Sequence, residues 1–397
     1  MNSELLEINE KAFNTSTDYP KKRFVFEKIK KNLKEKIFIG LLGPRGSGKT
    51  VLLKQLLKEI ENPFYVSLDA TPLDSTIYSL AEELQEKGIK NFLIDEIQFY
   101  PEFEKELKKI YDFLSIKIIF TGSEAIKVEK SSHDLSRRLK IIQVSPFSFR
   151  EFILFEKNEE AEKISFEQIL DEEYSRDYYG KTIKFERLFD DFLKGRNYPF
   201  TSGKADFKDI FSNILNRIIS NDLLKSGLIN TSEAVEIKKV IKFIGNSPAE
   251  DISYSSISKN LGITKFKAEK YVELLERSFI LTVVFPRGTN VLKEPKILFT
   301  IPYRLIYKKF DDCIGALRED FFAQTMRFSG KEFFYLKTNR GKKTPDYLID
   351  SVLIEIGGAK KGINQFKGFK AKEKIILTHP GKIDKNKRPL YFIGMID

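Results

Sequence analysis

Between residues 36 and 150, short apolar runs alternate with stretches whose apolar residues recur every three or four positions. The runs at 36–42, 64–68, 91–94, 116–120 and 140–144 predict buried strands. The stretches at 50–61, 75–87 and 102–114 predict helices, and a basic helix is expected between Pro20 and Glu35. Strands separated by helices of this length imply βαβ units and a parallel sheet with helices on both faces.

The pattern changes after residue 155. Residues 156–173 are mostly acidic with little apolar periodicity, and 156–202 is expected to be a linker or insertion. Residues 183–245 read as helices. From 251 to 300, two short helices meet at Leu261-Gly262-Ile263-Thr264, and two strand-like runs flank Pro286-Arg287-Gly288. That is the pattern of a helix-turn-helix with a wing, so 203–300 is expected as a helical and winged-helix domain. A helix from Cys313 through Phe328, then strands at 347–349, 352–356 and 374–378, predict a small α/β domain over 301–397.

Composition narrows the class. Of the 397 residues, 41% are apolar and 31% charged, which suits a globular protein. No run of about 18 apolar residues is present, so no membrane partner is expected. The first ten residues lack the basic and apolar regions of a secretory signal, and Cys313 is the single cysteine, so a cytoplasmic location is expected. One cysteine and two histidines (His133, His379) cannot assemble a usual zinc site, so any metal should be a hard cation on oxygen ligands. The net charge of +11 is uneven: residues 331–397 hold 15 basic and 7 acidic side chains. A basic C-terminal module suits either a polyanion such as DNA or a lysine-rich solvated surface.

The chemistry concentrates in one loop. Gly43, Pro44, Arg45, Gly46, Ser47, Gly48, Lys49 and Thr50 follow a predicted strand and open a predicted helix that continues with Val51. Glycines at this spacing let backbone N–H groups converge on phosphate oxygens, and the helix N-terminus adds partial positive charge. Lys49 is expected on the β- and γ-phosphates of ATP, and the Thr50 hydroxyl on Mg²⁺. The apolar strand 91–94 ends in Asp95-Glu96, which places carboxylates at the ligand-binding edge of the sheet. Asp95 is expected to hold Mg²⁺, and Glu96 to act as general base toward water. Ser123, after the next strand, is a candidate contact to the γ-phosphate. Arg137-Arg138 is a candidate source of an arginine finger or a surface pair bound to nearby acids.

Four motifs follow the loop in order: IDEIQ (94–98), TGS (121–123), DLSRR (134–138) and SFREF (148–152). With GALREDFFAQ (315–324), TPDYLID (344–350) and IEIGGAKKGINQFKG (354–368), the chain resembles prokaryotic AAA+-related P-loop ATPases with a C-terminal winged helix and a restriction-endonuclease-like domain. The resemblance implies an α/β fold: a P-loop NTPase parallel sheet over 1–155, then a helical/winged-helix domain and a small α/β nuclease-like domain. It implies that the Ser123 strand lies between the phosphate-loop and Asp95 strands, that Ser123 is a sensor, and that Arg138 is the finger. Active nucleases of that wider superfamily need an acid, then an acid-x-lysine. Asp346 and Glu355 match the acids and Glu319 is a third from the preceding helix, but the lysine position holds Gly357. A degenerate, non-cleaving domain is therefore expected, with Lys360, Lys361 and Gln365 as the residues that would restore the site.

The helix near 265–276 carries Lys265, Lys267 and Lys270, expected to be exposed, with Phe266, Val272 and Leu275 facing a core. Such a helix fits either weakly specific DNA contact or a domain that relays the state of the ATPase. The leading expectation is an ATP-driven, Mg²⁺-dependent switch. The rivals are an ATP-regulated DNA nuclease and a nucleotide-binding regulator without turnover. An unknown protein partner and a homo-oligomer, required by a finger supplied in trans, complete the expectations.

Overall fold

The computed structural model describes residues 3–71, 73–122, 135, 137–201, 207–224, 227–288, 294–336 and 344–396. The chain forms two compact units, Met1–Pro146 and Phe147–Asp397.

In the first unit, β1 (Phe38–Leu42), β2 (Pro63–Ser67), β3 (Asn91–Asp95), β4 (Lys117–Gly122) and β5 (Leu139–Gln143) pair in the order β2-β3-β4-β1-β5. Every pairing is parallel. β4 lies between the strand that feeds the phosphate loop and the strand that ends in Asp95, as the resemblance implied. The strands are apolar at consecutive positions because both faces are covered. Phe92 and Ile94 join one core with α4 (Ile77–Glu86) and α5 (Phe103–Phe113), whereas Leu93 joins the other. That second core takes Phe26 and Ile29 of α2 (Phe24–Leu33) and Leu52, Leu53 and Leu56 of α3 (Lys49–Leu56). The N-terminal helix α1 (Ser3–Asn14) supplies Leu5 to the first core and Ala12 to the second. α3 stops before the expected residue 61. It ends at Leu56, residues 57–62 continue as turns and bends, and Asn62, left-handed at φ 42°, leads into β2.

The second unit corrects two expectations. Residues 156–202 are not a linker: Ile164, Phe166, Ile169, Tyr178, Phe185, Phe189, Phe192 and Leu193 are buried in its main core. Charged residues on the solvent face mask those sparse apolar positions in the sequence. The helices here start at definite caps, Ser165 in a reciprocal box with Gln168 and Asp171 accepting from the Tyr174 N–H. The helices Tyr254–Leu261 and Lys265–Arg277 meet at Gly262, left-handed at φ 64°, and the antiparallel pair β6 (Leu281–Val284) and β7 (Lys296–Phe299) follows. Phe266 does not face a core; it is 77% exposed. At the second position of its helix it lies outside the stripe formed by Ala268, Tyr271, Val272 and Leu275.

The rest of this unit packs the long helix Phe310–Ser329 against a mixed sheet in the order β12-β11-β10-β9-β8. Its strands are Phe334–Tyr335 (β8), Tyr347–Ile349 (β9), Val352–Gly357 (β10), Glu373–Thr378 (β11) and Lys387–Pro389 (β12). A buried ion pair ties the helix to the hairpin. Arg304 donates to both oxygens of Asp320, at 2.5 Å from Nε and 2.8 Å from Nη2, while Asp320 also accepts the Phe299 N–H at 3.0 Å. Truncating one partner leaves the other charge buried and unmatched. Asp320→Ala should therefore lower unfolding free energy by about 3–5 kcal/mol in a denaturant titration. Glu7→Ala, at the exposed Lys11 pair, should leave the denaturation midpoint essentially unchanged.

Candidate functional site

The loop between β1 and α3 has the backbone its glycines predict. Gly46 and Gly48 lie at φ 81° and 91°, a region that costs other residues dearly. Gly43 is required by contact: a Cβ there would stand 2.0 Å from the Val144 carbonyl oxygen. Ser47 is fully buried and its Oγ has no hydrogen-bond partner. Lys49 is buried, and its ammonium donates to the Gly43 and Pro44 carbonyls at 2.9 and 3.0 Å. Pro44 is buried, Arg45, Thr50 and Val51 are half-buried and Gly46 is exposed. An orphan hydroxyl, a tethered ammonium and a helix N-terminus gathered in one loop suit a phosphate group.

Asp95 ends β3 as a buried carboxylate. Burial pushes its pKa up, a hydrogen bond from Thr121 opposes this, the charge of Glu96 adds to the rise, and Thr50 and Tyr65 oppose it. The Thr121 hydroxyl donates to Asp95 Oδ1 and accepts the Glu96 N–H at 2.9 Å. Tyr65 donates to Asp95 Oδ2 at 3.0 Å, and burial raises the pKa of its phenol. Thr50 and Asp95, the two expected metal ligands, are thus brought together. Glu96 stands in the left-handed region at φ 54°, and its carboxylate accepts a hydrogen bond from Gln98. Tyr65, Thr121 and Gln98 were not expected at this site. Thr121 was readable as the polar end of an apolar strand, whereas Tyr65 reads simply as a core aromatic.

Ser123 lies outside the described residues. Arg138 does not stand with the loop. It begins the turn into β5, where its carbonyl accepts the Phe38 N–H at the opposite end of β1 from the phosphate loop. Its guanidinium binds Asp112 through Nε at 2.9 Å and Nη2 at 2.8 Å, and it is only 26% exposed. Four residues of strand rise separate the two ends, roughly 13 Å, so a finger acting on its own loop is ruled out by placement.

The C-terminal candidates divide. Glu319 is held by Lys296 and by Tyr347, whose hydroxyl donates at 3.0 Å. Asp346 accepts the Ile356 N–H at 2.7 Å. Burial, then the charge of Glu319, pushes its pKa up to about 7. Glu355 is buried, with Lys361 Nζ 2.5 Å from Oε1 and with Oε2 lacking a hydrogen-bond partner. Lys361 reaches it because Gly357 has no side chain: a Cβ there would lie 2.8 Å from Lys361 Cδ. Glu319, Asp346 and Lys361 line a cleft of about 470 Å³; Lys360 and Gln365 are not part of its wall. Among the described residues, no three acidic, histidine or cysteine side chains are grouped to hold a metal ion. Nor is any described helix long and apolar enough to cross a membrane.

The Gly43 contact yields a test. Gly43→Ala should destabilise the first unit by about 1–3 kcal/mol in thermal denaturation. It should also weaken titrated binding of a fluorescent nucleoside triphosphate by at least about tenfold.

Of the comparisons with known proteins, the family match over the first unit agrees with this geometry. Residues 35–153 match the model described as AAA domain, and residues 197–300 match a domain of unknown function, DUF8612. The chain is 29% identical to an uncharacterized protein of Methanocaldococcus jannaschii, covering 92% of this chain and 87% of that one. It is 28% identical to an uncharacterized protein of Haemophilus influenzae over 60% of each chain. Among solved structures, the Walker-type ATPase PABY2304 of Pyrococcus abyssi aligns at 15% identity and a TM-score of 0.38, covering 68% of this chain and 91% of that one. AMPPCP-bound DnaA from Aquifex aeolicus aligns at 16% identity and 0.25, covering 64% and 87%. With its five-stranded parallel sheet and phosphate loop, the segment 35–153 matches an AAA domain in sequence and has the α/β architecture of a P-loop fold.

Proposed function

We propose that the chain binds ATP at the 43–51 loop and hydrolyses it, and that the nucleotide state acts as a switch on the C-terminal unit. The observation that carries this reading is the cluster of Thr50, Asp95, Thr121 and Tyr65 beside the loop. Backbone N–H groups of the loop and Lys49 hold the phosphates. Thr50 and Asp95 would hold Mg²⁺, which would supply positive charge against the negative charge that develops on the phosphate. Glu96 takes the proton of the attacking water, and Gln98 fixes the carboxylate that does so. Thr121 links the two acids, since one hydroxyl binds the Asp95 carboxylate and the Glu96 N–H. An arginine finger, if used, comes from a second copy of the chain, with Arg138 released from Asp112.

For the C-terminal unit the reading is a non-cleaving module. The acids expected to collect metal are matched internally, Glu319 by Lys296 and Glu355 by Lys361. Nor do Lys265, Lys267 and Lys270 form a free basic face, because they pair with Glu294, Glu236 and Glu233. This supports relay of the nucleotide state over a DNA-reading helix. One observation favours the rival nuclease reading: Lys361 fills the space left by Gly357 and meets Glu355, where a cleavage lysine would stand.

Two measurements decide these points. ATP turnover should vanish in Lys49→Ala together with nucleotide binding. In Glu96→Gln, binding should persist while kcat falls by at least about a hundredfold, the size of a lost general base; undiminished hydrolysis there would refute the assignment of Glu96. Incubation of the wild type with single- and double-stranded DNA and Mg²⁺ or Mn²⁺ should give no cleavage. Cleavage that is removed by Asp346→Ala while ATPase activity is spared would establish the nuclease instead.

A further inference from the structure

Three backbone carbonyls converge on one buried guanidinium in the first unit. Arg23 is 6% exposed. Its Nη1 donates to the carbonyl oxygens of Ser47 and Ser145, both at 2.7 Å, and its Nη2 donates to that of Pro146 at 3.2 Å. Ser47 belongs to the phosphate loop, whereas Ser145 and Pro146 follow β5. The approach of Arg23 is itself fixed: it caps the start of α2 in an extended conformation. Just before it, the Tyr19 and Lys21 carbonyls accept from the Gln55 amide of α3 at 2.7 and 3.0 Å.

The physical demand for such a residue comes from the loop. A loop that turns its N–H groups toward a phosphate turns carbonyls into the protein, and each buried carbonyl needs a donor. The Ser47 carbonyl finds one in Arg23. A guanidinium is suited to this place because its planar fork serves several acceptors in fixed directions, which a lysine ammonium does not. The other end of the loop is held by contact, since Gly43 lies against the Val144 carbonyl with no room for a methyl group. The 144–146 segment is thus the backing of the loop at both ends, directly at Gly43 and through Arg23 at Ser47.

We propose that Arg23 is a positioning residue for the phosphate loop, clamping the Ser47 carbonyl to those of Ser145 and Pro146 so that the loop's N–H groups keep facing the phosphate. This rests on the reading of the loop as a nucleotide site. Arg23 touches no reacting atom, so its loss acts on affinity ahead of chemistry.

The test compares Arg23→Gln and Arg23→Lys with the wild type and Lys49→Ala, using titration of a fluorescent ATP analogue and steady-state ATP hydrolysis. The Gln variant should keep a cooperative melting transition while Kd and KM rise by about tenfold or more, the weight of charge-assisted hydrogen bonds to carbonyls. Its kcat at saturating ATP should stay within about threefold of wild type, and the Lys variant should fall between the two. A folded Gln variant whose Kd lies within about twofold of wild type overturns the proposal, as does a loss confined to kcat. If the Gln variant does not fold, a folded Lys variant whose Kd lies within about twofold of wild type overturns the proposal in its place. If the wild type binds no better than Lys49→Ala, the nucleotide reading itself fails, and the Arg23 assignment falls with it.

Discussion

A carboxylate buried at the end of an apolar strand must be matched by donors, and Asp95 imposes that requirement on its surroundings. Its partners come from three separate elements: Thr121 from β4, Tyr65 from β2 and Thr50 from α3. The strand order makes this possible. β4 stands next to β3 with Ile94 opposite Phe120, so the residue after each pair, Asp95 and Thr121, meet at the edge. β2 flanks β3 on the other side with Ser67 opposite Asp95, which leaves Tyr65 to reach up from two residues earlier. The phosphate loop then follows β1, the neighbour of β4 on its other side. The proposed metal ligands, the proposed water-directing acid and the loop are therefore placed by one sheet register.

What could be read in advance was local. The loop is a contiguous pattern whose glycines answer to backbone angles, and the Asp95-Glu96 pair ends a contiguous apolar run. The strand positions followed from the same runs because both faces of the sheet are covered. Pairings between distant residues left no comparable trace: nothing near Tyr65 announces Asp95, and nothing near Arg138 announces Asp112. Arg23 precedes α2 among several lysines and looks like one more surface charge until the carbonyls around it are seen.

The second unit was harder for a related reason. Its apolar residues are spaced widely between charges in 156–202, so the sequence resembles a linker while the folded chain buries a phenylalanine-rich core. Charge, too, depends on pairing. The excess of lysine in 331–397 left a polyanion site and a solvated surface both open; within it Lys361 is engaged by Glu355, and Lys296 from an earlier segment is engaged by Glu319. Net charge counts residues and is blind to which of them are already matched.

That matching changes how the helix Lys265–Arg277 is felt from a distance. Lys265, Lys267 and Lys270 each stand within salt-bridge reach of a glutamate, so each contributes a short dipole to the surrounding field in place of a lone charge. The field of a dipole falls away faster than that of a charge, and salt screens what remains within about 10 Å. A polyanion would be drawn only weakly to this helix from solution. A protein surface already in contact could instead take up the same lysines by exchanging one carboxylate for another, with Phe266 beside them as an apolar point of contact.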